Sequence, residues 1–186
     1  MKNLFTERTL FFTKFLQSPG NIGSVLPSSR FLVQAMLKPV DWQQTRTLVE
    51  LGAGTGVLTR HIQEQIHPNC RVAVFEQDPE LREKLRQTFP RYRHYSRAEE
   101  LGSGEPFPPG QVDCVLSSLP FFNFPPEKRE IILEAIFRSL KKGGIFVTYQ
   151  YSLQMKRELS RLFHLKDVRF VPLNIPCAFV YVCQKP

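Results

Sequence analysis

Hydrophobic positions in this chain follow two different periodicities. Short apolar runs, bounded by glycine, proline or polar residues, predict strands, and apolar residues three and four positions apart predict the helices between them. Seven strands are expected, at Thr47–Leu51, Arg71–Phe75, Tyr92–Tyr95, Val112–Ser117, Ile145–Tyr149, Val168–Pro172 and Ala178–Cys183. Helices are expected at residues 3–17, from Ser28 or Ser29 to Leu37, and at Thr55–Ile66, Pro79–Phe89, Glu127–Leu140 and Leu153–Phe163. The glycine pair Gly143-Gly144 is expected to end the helix at Leu140.

The order of these elements predicts the fold class. Strands and helices alternate as far as the last helix, which is typical of an α/β fold with a mostly parallel sheet and helices on both faces. The last two strands follow one another directly, so the seven-stranded sheet should end in a C-terminal antiparallel β-hairpin. At 186 residues the chain has the length of a single domain, residues 1–186.

The stretch around which the chain is organised is Val49-Glu50-Leu51-Gly52-Ala53-Gly54-Thr55-Gly56. An apolar run enters three glycines on alternate positions and a helical pattern leaves them, which predicts a strand, a tight turn and a helix. Glycines permit positive φ and let a ligand lie against bare backbone. The same pattern also fits an ordinary strand–helix turn or a dinucleotide site. Glu50 disfavours a phosphate cradle, because its carboxylate would repel the anion.

The segment E-L-G-A-G-T-G resembles motif I of the S-adenosylmethionine-dependent methyltransferases with a class I, Rossmann-like fold. The resemblance implies S-adenosyl-L-methionine as cofactor, with Glu50 beside its methionine end. The predicted terminal hairpin agrees with a methyltransferase sheet, since the last strand of a dinucleotide dehydrogenase stays parallel.

Two acidic positions bear on the nucleoside part of such a cofactor. Glu76 closes a strand, where a carboxylate can accept both hydroxyls of a ribose lying over the glycine turn; a solvated strand-end charge is the alternative. Methyltransferases usually place an Asp for the adenine amino group where this chain has Arg97. Arginine cannot accept a hydrogen bond. Either Glu99 substitutes for the Asp, or the backbone around Ala98 reads the adenine.

The segment Ser117-Ser118-Leu119-Pro120-Phe121-Phe122 follows the fourth predicted strand, where a methyl acceptor would lie. Methyltransferases of nucleic-acid bases usually begin this segment with Asn or Asp, which holds the acceptor amine. Ser118 is a weaker clamp for a planar amine. The alternative is an apolar loop that only closes the sheet edge.

A closer resemblance comes from three segments: residues 19–30, P-G-N-I-G-S-V-L-P-S-S-R; motif I; and S-S-L-P. Together with T-Y-Q-Y at residues 148–151 and N-I-P-C-A at 174–178, they resemble the bacterial phospholipid N-methyltransferases, relatives of the ribosomal RNA adenine dimethylases. That family methylates the amine of phosphatidylethanolamine up to three times. The resemblance implies cofactor contacts at Gly23, Ser24, Glu50, Gly52, Ala53, Gly54, Thr55, Gly56, Glu76, Gln77, Ala98, Glu99 and Ser117.

The candidate catalytic residues are Ser118, Phe121, Tyr149 and Tyr151. Methyl transfer needs a neutral amine lone pair in line with the methyl group, so one proton must leave an ethanolamine amine before each attack. Tyr151, Tyr149 or a water molecule are the candidate bases. The methylated product is a cation, which the faces of Phe121, Tyr149 and Tyr151 suit.

Charge and apolar patterning bear on the partner. A net charge of +8 favours anionic nucleic acid or an anionic lipid surface, with a merely solvated basic surface as the alternative. The predicted helix at 3–17 is amphipathic and rich in phenylalanine, so it either lies in a membrane interface or packs on the domain. No apolar run approaches the roughly 18 residues of a membrane span. We expect a cytoplasmic enzyme, peripheral at the inner membrane face.

The cysteines and histidines show no metal-ligand spacing, and no metal is expected. Cys70, Cys114, Cys177 and Cys183 lack a C-x-x-C pair, and three of them lie in strand-like runs. Buried free thiols are the expected state.

Three classes of methyl acceptor stay open: nucleic acid, small molecules and lipid amines. The resemblance favours a lipid amine.

Overall fold

A computed structural model describes residues 26–104, 106–174 and 176–186, without the side chains of residues 26–29. The predicted helix at 3–17, and the candidate residues Gly23 and Ser24, lie outside that part. The helices are α1 (Leu26–Leu37), α2 (Val57–Gln65), α3 (Pro79–Thr88), α4 (Pro126–Ser139) and α5 (Lys156–Leu162). The strands are β1 (Thr47–Leu51), β2 (Arg71–Phe75), β3 (Arg93–Tyr95), β4 (Val112–Ser117), β5 (Leu140–Gln150), β6 (His164–Val171) and β7 (Ala178–Gln184). Short 3₁₀ turns lie at Ala98–Glu100 and Phe121–Asn123.

The described strands form one seven-stranded sheet in the order β3-β2-β1-β4-β5-β7-β6. The first five strands pair in parallel, and β7 pairs antiparallel with both β5 and β6. The predicted α/β class and the C-terminal hairpin are therefore confirmed. Since β1 and β4 are neighbours at the centre of the sheet, the loops after them open side by side at its carboxyl edge.

Helices cover both faces of the sheet. On one face α1, α2 and α3 pack on alternate strand residues such as Leu48 and Leu116. On the other face α4 and α5 pack on their neighbours, such as Val49 and Val115. Both faces of the central strands are buried, which explains why these strands read as continuous apolar runs.

The predicted role of one glycine pair is wrong. The glycine pair Gly143-Gly144 was expected to end the helix at Leu140, but α4 already ends at Ser139 and the glycines lie within β5. A Cβ on Gly144 would lie 2.9 Å from the Lys141 carbonyl oxygen and 3.0 Å from that of Val112. The pairing of β4 with β5 shifts register here. The glycines therefore mark a bulge with close backbone approach.

Smaller differences concern the ends of other elements and one thiol. Ser28 and Ser29 lie inside α1 rather than at its start. Strand β6 begins at His164, four residues before the expected start. Cys114 and Cys183 are buried free thiols as expected, but Cys177 is exposed in the β6–β7 turn. Among the described helices, none has the length and apolar character that crossing a membrane requires.

Candidate active site

The glycine turn between β1 and α2 has the left-handed backbone that its sequence predicts. Gly52, Gly54 and Gly56 have φ values of 75°, 57° and 82°. A Cβ on Gly56 would lie 2.8 Å from Leu85 and 3.2 Å from Phe89, so only glycine lets the turn pack against α3 and the residue after it. A Cβ on Gly54 would meet nothing within 4 Å. Gly54 therefore presents bare backbone to open space.

Glu76 links the glycine turn to the turn between β2 and α3 through hydrogen bonds. Its carboxylate accepts the Gly54 N–H at 2.6 Å through Oε2 and the Asp78 N–H at 2.9 Å through Oε1. Asp78 in turn caps α3 by accepting the Leu81 N–H at 2.9 Å. An ionised carboxylate has about four acceptor sites, so two stay available to a ligand. The strand-end acid is thus held in place by backbone donors.

A cavity of about 970 Å³ opens over these groups at the carboxyl edge of the sheet. It brings together seven of the residues expected from sequence: Gly52, Gly54, Glu76, Gln77, Ala98, Glu99 and Ser118. The remaining described candidates do not line it: Glu50, Ala53, Thr55, Gly56, Ser117, Phe121, Tyr149 and Tyr151. The cavity is large enough for a nucleoside-sized ligand to lie against bare backbone and a fixed carboxylate.

The far wall of the cavity carries two ion pairs. Glu99 lies 3.1 Å from the Lys128 Nζ, and Arg97 lies 3.6 Å from Glu100. Partial burial alone would raise the pKa of Glu99, but its hydrogen bonds and Lys128 outweigh that and hold the pKa below its usual value. Glu99 is therefore a carboxylate already committed to a lysine. Arg97, not expected as a site residue from sequence, lies on the cavity wall.

Glu50 is a buried acid with no charged partner among the described residues. It is fully buried, and neither carboxyl oxygen makes a hydrogen bond of good geometry in that part of the chain. Burial raises the pKa of Glu50 to about 8; the nearby hydroxyl and backbone of Thr59 oppose the rise, and the charge of Glu76 adds to it. An orphaned buried carboxyl two residues before the glycine turn is an energetic cost that a cationic group would relieve.

The loop after β4 forms a further wall of the cavity, on the side where the sequence predicts the methyl acceptor. Ser118 donates its N–H to the Leu51 carbonyl at 2.9 Å, and Gln150 donates its side-chain N–H to the Leu119 carbonyl at 3.0 Å. Ser117 is buried, and its hydroxyl accepts the Leu119 N–H at 3.2 Å. Ser117 therefore shapes the loop from beneath. Of the two serines, Ser118 lies on the cavity wall.

Phe121 is fully buried in the core beneath this loop, edge-on to Phe124 and Phe146. Its ring faces are consumed by that packing, so it offers none to a ligand. The sequence interpretation of Phe121 as an aromatic contact for the acceptor therefore has no support in its position. Phe124, its neighbour, does line the cavity.

The two candidate tyrosines form a pair at the end of β5. The rings of Tyr149 and Tyr151 pack edge-on with centroids 5.6 Å apart, and Tyr151 hydrogen-bonds to the side chains of Tyr149 and Asn174. Burial raises the pKa of both hydroxyls, so both stay protonated near neutral pH. A neutral phenol cannot serve as a general base through its phenolate. Of the candidate bases, a water molecule fits this environment better than either tyrosine.

Sequence reasoning missed two kinds of site residue. The first turn of α3, with Pro79 and Leu81, lines the cavity because Glu76 and Asp78 fix its entry. Lys128 reaches the cavity from α4, far along the chain. The sequence does signal the first turn of α3, through the Asp-Pro pair at which that helix starts. It carries no signal that Lys128 lies in the site. No group of three or more metal-ligating side chains occurs among the described residues.

Comparison with known proteins agrees with this arrangement. A family described as "Methyltransferase domain" matches residues 48–144, which span β1 to the bulge of β5. The chain is 32% identical over 193 residues to an ornithine lipid N-methyltransferase from Singulisphaera acidiphila, covering 99% of this chain and 97% of that protein.

Two solved structures share the fold at low sequence identity. A 1,6-didemethyltoxoflavin-N1-methyltransferase from Burkholderia thailandensis, with S-adenosylhomocysteine bound, has a TM-score of 0.65 at 17% identity and covers 99% of this chain and 89% of its own. The N-methyltransferase NodS from Bradyrhizobium japonicum has a TM-score of 0.68 at 13% identity, with 87% and 98% covered. The chain therefore belongs to the family of S-adenosylmethionine-dependent methyltransferases, as an N-methyltransferase that uses S-adenosylmethionine as its cofactor.

Proposed function

We propose that this enzyme methylates the amine of a membrane lipid, with phosphatidylethanolamine and its methylated derivatives as the substrates. The observation that carries the proposal is the similarity to an ornithine lipid N-methyltransferase over 99% of the chain. Ornithine lipid and phosphatidylethanolamine both present an amine at the end of a polar headgroup. The similarity supports a lipid amine as the acceptor, and phosphatidylethanolamine is the headgroup that we propose within that class.

The residues of the cavity fit the cofactor. Gly54 offers bare backbone, and Glu76 keeps two acceptor sites for the ribose hydroxyls while its other two hold the turn. Glu50 does not line the cavity, but it is a buried carboxyl two residues before the glycine turn that no cation of the described residues neutralises, and the methionine end of the cofactor would bring a positive charge near it. Ala98, at the start of its 3₁₀ turn, lines the end where the adenine would lie. The bound cofactor supplies an electrophilic methyl group.

The acceptor side of the site has to orient an amine and exclude water. Ser118 and Leu119 form the wall between cofactor and acceptor, and their backbone is tied to β1 and β5. Rigid placement of this wall aligns the amine lone pair with the cofactor's methyl group, which is the main contribution a protein makes to such a displacement. The amine loses its proton to water, because Tyr149 and Tyr151 stay protonated.

The tyrosine pair suits a cationic product. Each methylation yields an ammonium ion, and aromatic faces and phenol oxygens attract such a cation without forming a bond that would hinder release. Phe121 is too deeply buried to take part. Tyr149 and Tyr151 therefore carry this role in the proposal, with Tyr151 held by Asn174.

One experiment separates the acceptor classes. The protein is incubated with radiolabelled S-adenosylmethionine and, separately, with mixed phospholipid vesicles, ribosomal RNA or a metabolite extract. We expect label in the ethanolamine lipid, at a rate several-fold lower in Tyr151→Phe. The net charge of +8 suits RNA as well as an anionic membrane, so RNA is the control that matters most. Label found only in RNA or in water-soluble products contradicts the proposal.

The proposal also places the enzyme at the inner membrane face as a peripheral protein. The amphipathic segment at residues 3–17 is the sequence feature expected to bind there. Deleting residues 1–16 should weaken binding to anionic vesicles and leave the unfolding transition in place. A truncated protein that unfolds, or that binds vesicles as well as the full chain does, would show that the segment has a structural role.

A further inference from the structure

Four exposed apolar side chains lie near the carboxyl ends of β4, β5 and β6, outside the cofactor cavity. They are Phe122, Leu153, Phe170 and Leu173, with exposed fractions between 45% and 58%. We call these four residues the apolar rim. Single exposed apolar residues need no explanation, whereas a group of them on one edge of a molecule marks an interaction surface.

The strand connections place the rim on one edge. Strands β4 and β5 are parallel, and β6 runs in the same direction as β5 because both are antiparallel to β7. The carboxyl ends of β4, β5 and β6 therefore share an edge, and Phe122, Leu153 and Leu173 lie in the loops that follow them. Phe170 lies one residue before the end of β6, with its ring 5.1 Å from that of Phe179.

The two turns that carry the rim leucines are held by buried anchors. The Ser152 carbonyl accepts the Tyr181 hydroxyl at 2.8 Å, and Met155 is buried with 1% of its surface exposed. In the second turn, Asn174 donates its side-chain N–H to the Pro176 carbonyl at 2.8 Å and is itself buried. Leu153 and Leu173 therefore project outward from fixed turns and do not fold back on the core.

The surface around the rim is cationic. Lys156 and Arg157 are exposed in the first turn of α5, directly after Leu153's turn, and neither has an ion-pair partner among the described residues. Residues 151–174 contain five Lys and Arg against two acids. Both acids, Glu158 and Asp167, are already in ion pairs with arginines. The surface thus combines apolar side chains with unneutralised positive charge, which matches an anionic lipid surface.

We propose that the apolar rim docks the enzyme on an anionic phospholipid surface, with the rim side chains in the acyl boundary and Lys156 and Arg157 among the headgroups. This inference rests on the proposed function. Tyr151 hydrogen-bonds to Asn174 and so lies between the two rim turns. A lipid amine reaches that point when the rim sits in the bilayer surface and the lipid's chains stay there.

Vesicle sedimentation of the full-length protein, without S-adenosylmethionine, tests the docking directly. The vesicles are phosphatidylcholine alone or phosphatidylcholine mixed with anionic phosphatidylglycerol. Leu153→Asp and Leu173→Asp should each weaken binding to the anionic vesicles by about tenfold, because each removes an inserted side chain and adds a repelled charge. Ile131→Asp is the matched control, since Ile131 is 51% exposed on α4, outside the rim. It should change binding by no more than about twofold.

A native thiol gives a second readout that does not depend on substitution. Cys177 is exposed in the β6–β7 turn beside the rim, whereas Cys114 and Cys183 are buried. An environment-sensitive fluorophore on Cys177 should shift to the blue when anionic vesicles are added. High salt should reduce the shift, because it screens the headgroup attraction. Cys70 is only half-buried and could also take up the fluorophore. Cys177→Ser, labelled under the same conditions, measures the emission that comes from Cys70.

The outcomes separate the docking surface from the proposed function. Rim variants that bind anionic vesicles like the wild type, or a label whose emission does not shift, overturn the docking proposal even if lipid is methylated. Weakened vesicle binding supports it even if the methylated acceptor proves to be another molecule. If the rim variants change the oligomeric state of the protein in solution and leave vesicle binding unchanged, the rim is an interface between copies of the chain and the proposal is wrong.

Discussion

The two halves of the sheet differ in how they are built to meet a ligand. The half with β1, β2 and β3 presents backbone N–H groups, carboxylates and a glycine turn, and hydrogen bonds from Gly54 and Asp78 already fix the Glu76 carboxylate. The half with β5, β7 and β6 presents tyrosines, an asparagine and exposed leucines. In our proposal the first half binds the charged, hydroxylated cofactor, and the second half binds an amine attached to an apolar body.

This difference indicates which interactions are general and which are specific. A cofactor shared by a whole family calls for the same backbone geometry in every member, whereas the acceptor differs from one member to the next. We therefore expect substitutions in the first half to change stability and cofactor affinity, and substitutions in the second half to change turnover at saturating cofactor.

Substitution of Glu50 should change stability more than any other substitution considered below. Its folded pKa, about 8, lies above its ordinary value of 4.5, so this group's contribution to stability is fully present below about pH 4.5 and is lost as pH rises through about 8. At about 1.4 kcal/mol per pKa unit, the loss amounts to at most about 5 kcal/mol of unfolding free energy. Glu50→Gln should remove this slope and be more stable than the wild type above pH 8.

Chemical denaturation of both proteins from pH 4 to 9 measures the slope, with Glu80→Gln, an exposed acid on α3, as the control. The difference between wild type and Glu50→Gln should grow with pH, whereas Glu80→Gln should follow the wild type. A difference that does not change with pH would show that Glu50 is already ionised and has a partner. Because Glu50→Gln also removes the proposed partner of the cofactor's positive charge, its affinity for S-adenosylmethionine should fall.

The next effect concerns packing at the turn. Gly56→Ala should cost about 2–4 kcal/mol of unfolding free energy, since a Cβ there is both strained at φ 82° and too close to Leu85 and Phe89. Gly110→Ala separates the two causes, because Gly110 has φ 73° and a Cβ added to it would meet nothing within 4 Å. It should cost only about 1–2 kcal/mol. Equal losses in the two variants would contradict a contribution from packing.

The third effect concerns the cofactor. Glu76→Ala should weaken S-adenosylmethionine binding by about 1.5–3 kcal/mol, roughly tenfold to a hundredfold, because a charged acceptor is lost and the turn is released. Titration calorimetry measures it, and Glu80→Ala, also on the cavity wall, is the comparison. Unchanged affinity in Glu76→Ala would show that the ribose does not bind to the Glu76 carboxylate.

The smallest effect concerns Asn174. Asn174→Ala should lower turnover by about fivefold, about 1 kcal/mol, and leave cofactor affinity unchanged, because it releases the Tyr151 hydroxyl. In a Tyr151→Phe background the same substitution should have little further effect, since the group it positions is gone. Asn69→Ala, an exposed asparagine before β2, is the control. Additive losses would show that Asn174 does not act through Tyr151.

The sequence predicted the backbone of the glycine turn far better than the positions of the aromatic side chains. The turn from Gly52 to Gly56 and the acid at Glu76 lie at positions that backbone geometry dictates, and such constraints are visible in a sequence. Phe121 and Tyr149 had no such constraint: whether an aromatic ring lines a site or fills the core depends on packing across the sheet. The glycines at 143 and 144 misled for a similar reason, because the close backbone approach that requires them comes from β4.

We propose that the second half of the sheet binds an amine presented by a lipid. The direct measurement compares methylation of phosphatidylethanolamine in anionic vesicles with that of soluble glycerophosphoethanolamine, at equal amine concentration and saturating S-adenosylmethionine, with products identified by mass spectrometry. We predict methylated lipid, and soluble product at a rate lower by at least about tenfold, because the soluble headgroup has no apolar body to hold it at the site. Equal or faster methylation of the soluble headgroup would contradict the claim.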